Sequence, residues 1–289
     1  MSETTTDAPS AARPAFSFPT TIVIPLDGSE FAERALDIGE HLADRFGSRN
    51  LLAVTTPWDG DVEAARAYLD HVRDLRDGLR VEVIDGAEPA EAIVEAAAEA
   101  PGAMVCMTTH GRGRVGVVII GSVAEAVIRA STAPLMLVGP ECRIDAPSSP
   151  QSGRIVVCVD GSAAAQDAVS VAQGWATTLG IELCILMVVH PLDVRTAEYP
   201  DAGWSAALDA VTSSVPSAQH RLERSEYPAG AILDVAREPG TSMVVMATRS
   251  RTRIARVVMG SVTMSVVHGS SCPVLVVPPT DGAGSRPTR

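Results

Sequence analysis

The amino-acid sequence predicts an α/β protein built as two tandem, doubly wound, Rossmann-like domains, each around a five-stranded parallel sheet. Three observations carry this prediction. The first is a repeat. Ile22-Val23-Ile24-Pro25-Leu26-Asp27-Gly28-Ser29 returns 133 residues on as Ile155-Val156-Val157-Cys158-Val159-Asp160-Gly161-Ser162. Gly121-Ser122-Val123 returns as Gly260-Ser261-Val262, and Ala133-Pro134-Leu135-Met136-Leu137-Val138 returns as Cys272-Pro273-Val274-Leu275-Val276-Val277. Anchors in one order at nearly one offset mean a duplicated domain, because the period is far too long for a solenoid unit. The second observation is that short Val/Ile/Leu runs alternate with helical patterns inside each copy, as βαβ units require. The third is that these runs are continuously apolar, which implies a sheet covered on both faces and therefore parallel.

Strand one falls near Thr21–Leu26. A helix follows from about Glu30, with Phe31, Ala35, Ile38, Leu42 and Phe46 at helical spacing and Gly47 where a C-terminal cap belongs. Further strands fall near Asn50–Thr55, Arg80–Ile84, Ala103–Met107 and Leu135–Val138, separated by helices that include Ala90–Ala100 and Val123–Ala130. In the second copy the first helix repeats the pattern with Ala165, Ala168, Ala172, Trp175 and Leu179 before Gly180. The final strands, Leu135–Val138 and Val274–Val277, are apolar edge candidates, and an uncovered apolar edge tends to pair. The expected organisation is a disordered tail at 1–17, domain one at 18–141, a Pro/Ser linker at 142–152, domain two at 153–279 and a second tail at 280–289.

Composition narrows the function. With 289 residues, 46% hydrophobic and 20% charged, the chain supports two packed cores. A formal net charge of −12 argues against nucleic acid and anionic membranes as partners. No apolar run reaches the roughly 18 residues of a membrane-spanning helix, and the N-terminus lacks a basic-then-apolar leader pattern. The expectation is a cytoplasmic protein. The chain contains no lysine, which excludes a Walker A loop, a Schiff-base or pyridoxal-phosphate enzyme and a kinase with its phosphate-pairing lysine. Cys106, Cys142, Cys158, Cys184 and Cys272 form no C-x-x-C pair, and four lie in or beside apolar runs, so they read as small core hydrophobes.

Ligands of open parallel sheets bind at the carboxyl ends of the strands, where the strand order reverses. After strand one stand Asp27-Gly28-Ser29 and Asp160-Gly161-Ser162. Two roles are open for them: a carboxylate facing the crevice, or a turn and cap for the next helix. After strand four comes Thr108-Thr109-His110-Gly111-Arg112-Gly113-Arg114, within an acid-free window from Pro101 to Ala124. Its counterpart carries Arg249, Arg251, Arg253 and Arg256, within an acid-free window from Pro239 to Thr280. Each loop leads to Gly-Ser at a helix start, where free N–H groups and the helix dipole favour an anion. The alternative is a solvated basic loop before an ordinary helix. His110 reads as a loop residue or a minor contact rather than a base, and no His/Asp cluster points to a catalytic metal.

These features resemble the universal stress protein family in its tandem two-domain form. Its nucleotide-binding members carry G-x2-G-x9-G-[ST] after strand four and an aspartate early after strand one. Nine residues separate Gly111 from Gly121-Ser122, and nine separate Ser250 from Gly260-Ser261. The first glycine of the motif is Thr108 in copy one and Ala247 in copy two, and the second is Ser250 in copy two. The resemblance implies an adenine-nucleotide α-hydrolase-like fold and ATP, with Mg2+ as its companion, as the ligand. It implies that Asp27 and Val54 meet the nucleoside, with Pro25 shaping the turn. Gly111, Gly121, Ser122 and Val123 would surround the phosphates, with Met107 and Thr108 along the approach. In copy two the corresponding residues are Asp160, Val188, Met246, Ala247, Ser250, Gly260, Ser261 and Val262. Thr108 costs little there if its φ is negative, whereas Ser250 adds a side chain where backbone should approach phosphate. Site one is therefore expected to outrank site two.

Three functions follow from the resemblance and the residues together: a nucleotide-binding stress-response or regulatory protein with little or no turnover, a slow ATPase or nucleotidyl-transfer enzyme, and an interaction protein with vestigial pockets. For metal ligation only Asp27 and Asp160 qualify. Domain pairing within the chain and a homodimer are the expected associations.

Overall fold

The computed structural model describes residues 18–47, 50–110, 120–143, 153–191, 206, 208–209, 211–248 and 260–278. The tails, most of the linker, Gly111, Ser250 and the arginines of both loops lie outside the described residues.

In the first half the elements run β1 (Thr21–Pro25), α1 (Glu30–Phe46), β2 (Leu51–Thr55), α2 (Val62–Asp74), β3 (Leu79–Val83), α3 (Pro89–Glu99), β4 (Ala103–Thr108), α4 (Ser122–Ala130) and β5 (Leu135–Val138). In the second half they run β6 (Arg154–Val159), α5 (Ala163–Leu179), β7 (Glu182–Val189), β8 (Gln219–Arg224), α6 (Pro228–Ala236), β9 (Thr241–Ala247), α7 (Ser261–Gly269) and β10 (Val274–Val277). Boundaries differ by about one residue from the sequence reading at several ends, as frayed termini do.

The five strands of each half are parallel in the order 3-2-1-4-5, and β5 pairs antiparallel with β10. One ten-stranded sheet results, in the order β3-β2-β1-β4-β5-β10-β9-β6-β7-β8. Helices cover both faces, and each face carries a hydrophobic cluster with members from both halves. The central strands are buried along their length, but β3 alternates and β8 is largely exposed, because each is an outer edge with only one strand neighbour. Charged Arg80, Glu82, Arg221 and Glu223 on those edges oppose edge-to-edge aggregation.

Helix α1 shows where a periodicity reading needs correction. Phe31, Ile38 and Phe46 are only half-buried, and the buried stripe is Ala32, Ala35, Leu36, Gly39, Leu42 and Ala43. Small residues let the helix approach the sheet: a Cβ on Gly39 would lie 2.6 Å from Ile24 Cδ1. The aromatic residues are left for the helix flank, where Phe46 packs against Phe18 and Trp175 at 5.0 and 4.8 Å between ring centroids.

Candidate functional site

Strand order reverses between β1 and β4, and again between β6 and β9. Two crevices open at the carboxyl ends of these pairs, of about 580 Å³ in the first half and about 320 Å³ in the second.

The first crevice starts where β1 ends. Gly28, at φ 79°, turns the chain in the left-handed region that suits glycine. Ser29 Oγ then accepts from Ala32 N (3.2 Å) and caps α1. Asp27 Oδ1 accepts from both Ser29 N (3.0 Å) and Ser29 Oγ (2.6 Å), and Asp27 lines the crevice. Turning, capping and presenting a carboxylate are therefore done by one tripeptide. The second half repeats this with Gly161 at φ 77°, Ser162 N donating to Asp160 Oδ1 (3.1 Å) and Ser162 Oγ capping α5.

Val54 of β2 forms the floor of the first crevice, and Pro25, Met107 and Thr108 complete its strand-derived wall. Thr108 is accommodated without strain. It pairs with Val138 in the β4–β5 ladder, its φ is not positive, and its Oγ1 donates to the His110 carbonyl (2.8 Å). At the far wall α4 begins. Gly121 N donates to Thr109 O (2.8 Å), and a Cβ on Gly121 would lie 3.3 Å from that same oxygen, so the helix start is held close to the end of β4.

Helix starts across the molecule separate into groups. Side-chain oxygens of Ser29, Asp61 and Ser162 cap α1, α2 and α5. Helices α3 and α6 carry proline in the first turn, which removes one donor. Among the described helices only α4 and α7 begin with neither, and both stand at a crevice. The first-turn N–H groups at Ser122–Val123 and Ser261–Val262 are thus left for another acceptor, at the positive end of a helix dipole.

All described residues proposed from sequence converge as two sets. Pro25, Asp27, Val54, Met107, Thr108, Gly121, Ser122 and Val123 line the first crevice. Asp160, Val188, Met246, Ala247, Gly260, Ser261 and Val262 line the second. Sequence reasoning missed the apolar side of the first crevice, made by Ile84, Pro89, Ile93 and Ile120, and it missed Trp58 at its edge. His110, expected as a loop residue or minor contact, also lines this crevice. Its ring meets His268 of α7 at 5.8 Å between centroids, so the second half reaches the rim of the first site. Among the described residues no cluster of three or more His, Cys, Asp or Glu is disposed to hold a metal ion. No described helix is long and apolar enough to cross a membrane.

The model of the Universal stress protein family matches residues 19–139 and 152–278. Curated relatives include the universal stress proteins Rv2005c and Rv1996 of Mycobacterium tuberculosis. Rv2005c is 26% identical over 199 residues, which cover 65% of this chain and 65% of that protein. Rv1996 is 25% identical over 189 residues, covering 60% and 58%. The match thus spans slightly less than two thirds of each relative's length. Among solved structures, a universal stress protein of Archaeoglobus fulgidus superposes with a TM-score of 0.70 at 21% identity, covering 90% of this chain and 98% of that one. A putative universal stress protein of Pseudomonas aeruginosa gives 0.68 at 16% identity, covering 90% and 94%. At these identities the structural likeness concerns the fold.

Proposed function

The chain belongs to the universal stress protein family, and on that premise we propose that it binds an adenine nucleotide, ATP, in the first crevice and acts as a nucleotide-responsive stress protein with little or no turnover. The observation that carries this reading is that Asp27 and the uncapped start of α4 line one 580 Å³ cavity together with apolar residues. A carboxylate suits ribose hydroxyls, free N–H groups at a helix start suit phosphate, and apolar residues suit a base. The volume lies within the roughly 300–1,000 Å³ of small-molecule sites. Mg2+ would travel with the phosphates, and Asp27 is the carboxylate among the described lining residues that could meet it. Low turnover is part of the proposal and is checked by phosphate release, since hydrolysis needs a base positioned beside the phosphates.

The second crevice has the same plan in about 320 Å³, and its loop carries Ser250 where the first has Gly111. We assign it the weaker affinity. Isothermal titration with ATP tests the ranking: Asp27→Ala and Gly111→Trp should weaken binding by roughly tenfold or more, the scale of one charge-assisted hydrogen bond. Asp160→Ala and Ser250→Trp should change it less. Absence of binding heat at high micromolar ATP would remove the nucleotide reading, and equal losses in both halves would remove the ranking.

A further inference from the structure

We infer that Trp58 forms an aromatic wall of the first crevice, so that this site selects a ligand with a planar base and the second site does not share that selectivity. The inference rests on the nucleotide reading above and adds to it the residue that recognises the base. Trp58 lies just beyond the carboxyl end of β2, half-buried, and lines the cavity beside Ile84 and Pro89. Its position is built rather than incidental. Tyr68 of α2 packs against it with ring centroids 5.4 Å apart at 61°, and Tyr68 is itself anchored by its hydroxyl donating to Glu33 Oε1 of α1 (2.9 Å). The loop that carries Trp58 closes on itself, with Asp61 N donating to Trp58 O (2.9 Å) across Asp59 and Gly60. Asp59, at φ 53°, is the one described non-glycine residue in the left-handed region. Aspartate is among the few non-glycine residues that tolerate this region, so the turn that carries Trp58 is encoded locally.

A large aromatic ring held at the edge of an apolar cavity offers stacking to a planar ligand, which every nucleobase provides. The start of α4 lines the same cavity and favours phosphate, so one crevice offers both an aromatic face and an anion-binding helix start. Among the described residues that line the second crevice there is no tryptophan, tyrosine or phenylalanine. Thr56-Pro57-Trp58-Asp59 corresponds to His190-Pro191-Leu192-Asp193, so the indole position carries leucine in copy two. Aromatic residues are only 3% of the chain, and placing one of three tryptophans here is selective.

The test uses the full-length protein, with titrations followed by both heat and tryptophan fluorescence. In a Trp204→Phe background ATP should change the emission, and the change should vanish when Trp58→Phe is added, because the remaining Trp175 is buried at the junction of the halves. Trp58→Phe should bind ATP within about threefold of the wild type, since it keeps an aromatic face. Trp58→Ala should bind it about 5- to 150-fold more weakly, the equivalent of the roughly 1–3 kcal/mol of one base–aromatic stack. Inorganic tripolyphosphate should bind wild type and Trp58→Ala alike and leave emission unchanged. ATP heats of normal affinity in Trp58→Ala would overturn the inference and leave nucleotide binding standing. Equal losses in the Phe and Ala variants would overturn it too, by showing that an aromatic face is not what the site uses. No ATP heat in the wild type would instead fail the nucleotide reading itself.

Discussion

Glu238 is shared by two arginines: its Oε1 accepts from Arg221 Nη1 at 2.6 Å and its Oε2 from Arg154 Nη2 at 2.8 Å. The hydrogen bond from Arg221, and then that from Arg154, hold its carboxyl below the ordinary value of 4.5. A depressed carboxylate stabilises the fold above its unfolded-state pKa, and that contribution is lost as the pH falls through the folded-state value. Glu238→Gln should therefore lower stability at pH 7 by less than about 1 kcal/mol, allowing for solvent screening of this partly exposed group. The difference from the wild type should shrink steadily below pH 4.5, read by urea denaturation across that range. The cysteines show the opposite influence at the same scale. Burial pushes the Cys142 thiol up to about 12 and the Cys272 thiol to about 11, which keeps them protonated and slow as nucleophiles.

The elements differ most at their N-termini. At α1, α2, α3, α5 and α6 a serine, an aspartate or a proline deals with one of the first donors; at α4 and α7 nothing in the side chains does. This predicts a substitution that separates binding from stability. Gly121 is extended, at φ −59° and ψ 149°, which suits a residue preceding proline, and Ser122 occupies the first helical position, which suits proline itself. Ser122→Pro should leave the thermal midpoint within about 2 °C of the wild type, since the lost N–H has no partner inside the helix. It should weaken ATP binding by roughly threefold or more, because that N–H belongs to the anion-favouring set. Scanning calorimetry and titration on one preparation check both halves of this prediction.

At the scale of the whole molecule the halves behave as one body. The β5–β10 pairing joins their sheets, α1 and α5 meet through Phe46 and Trp175, and Arg45 Nη2 donates to Leu179 O at 2.6 Å. Beyond β5, Arg143 N donates to Ser271 O at 3.0 Å, a further backbone link between the halves. Gly139 sits in this junction so close to α7 that a Cβ would fall 2.1 Å from the Val267 carbonyl oxygen. The obstacle is backbone, which cannot swing aside as a side-chain tip can. Gly139→Ala should destabilise the protein by about 1–3 kcal/mol, the usual cost of overpacking. It should also broaden the denaturation transition by loosening one half from the other, seen as a lower m-value.

What the sequence determined by itself is what short-range chemistry encodes. The strand runs, the αL caps at Gly47 and Gly180, the Ser29 and Ser162 caps and the two Asp-Gly-Ser turns all depend on neighbours within a few residues. The repeat then doubled each of these signals, and the rule that ligands of open parallel sheets bind at the carboxyl ends of strands singled out the residues after strands one and four with no need for atomic detail. Tertiary structure alone decided three further matters. The buried stripe of α1 is set by how closely Gly39 lets the helix meet Ile24, and spacing alone could not register that. The antiparallel meeting of β5 and β10 depends on which two apolar edges find each other. Trp58 was not singled out by the sequence, because its place on the crevice wall comes from Tyr68 on α2 and Glu33 on α1. Periodicity records which face of an element is apolar; the surface it meets is set by packing between segments far apart in the chain.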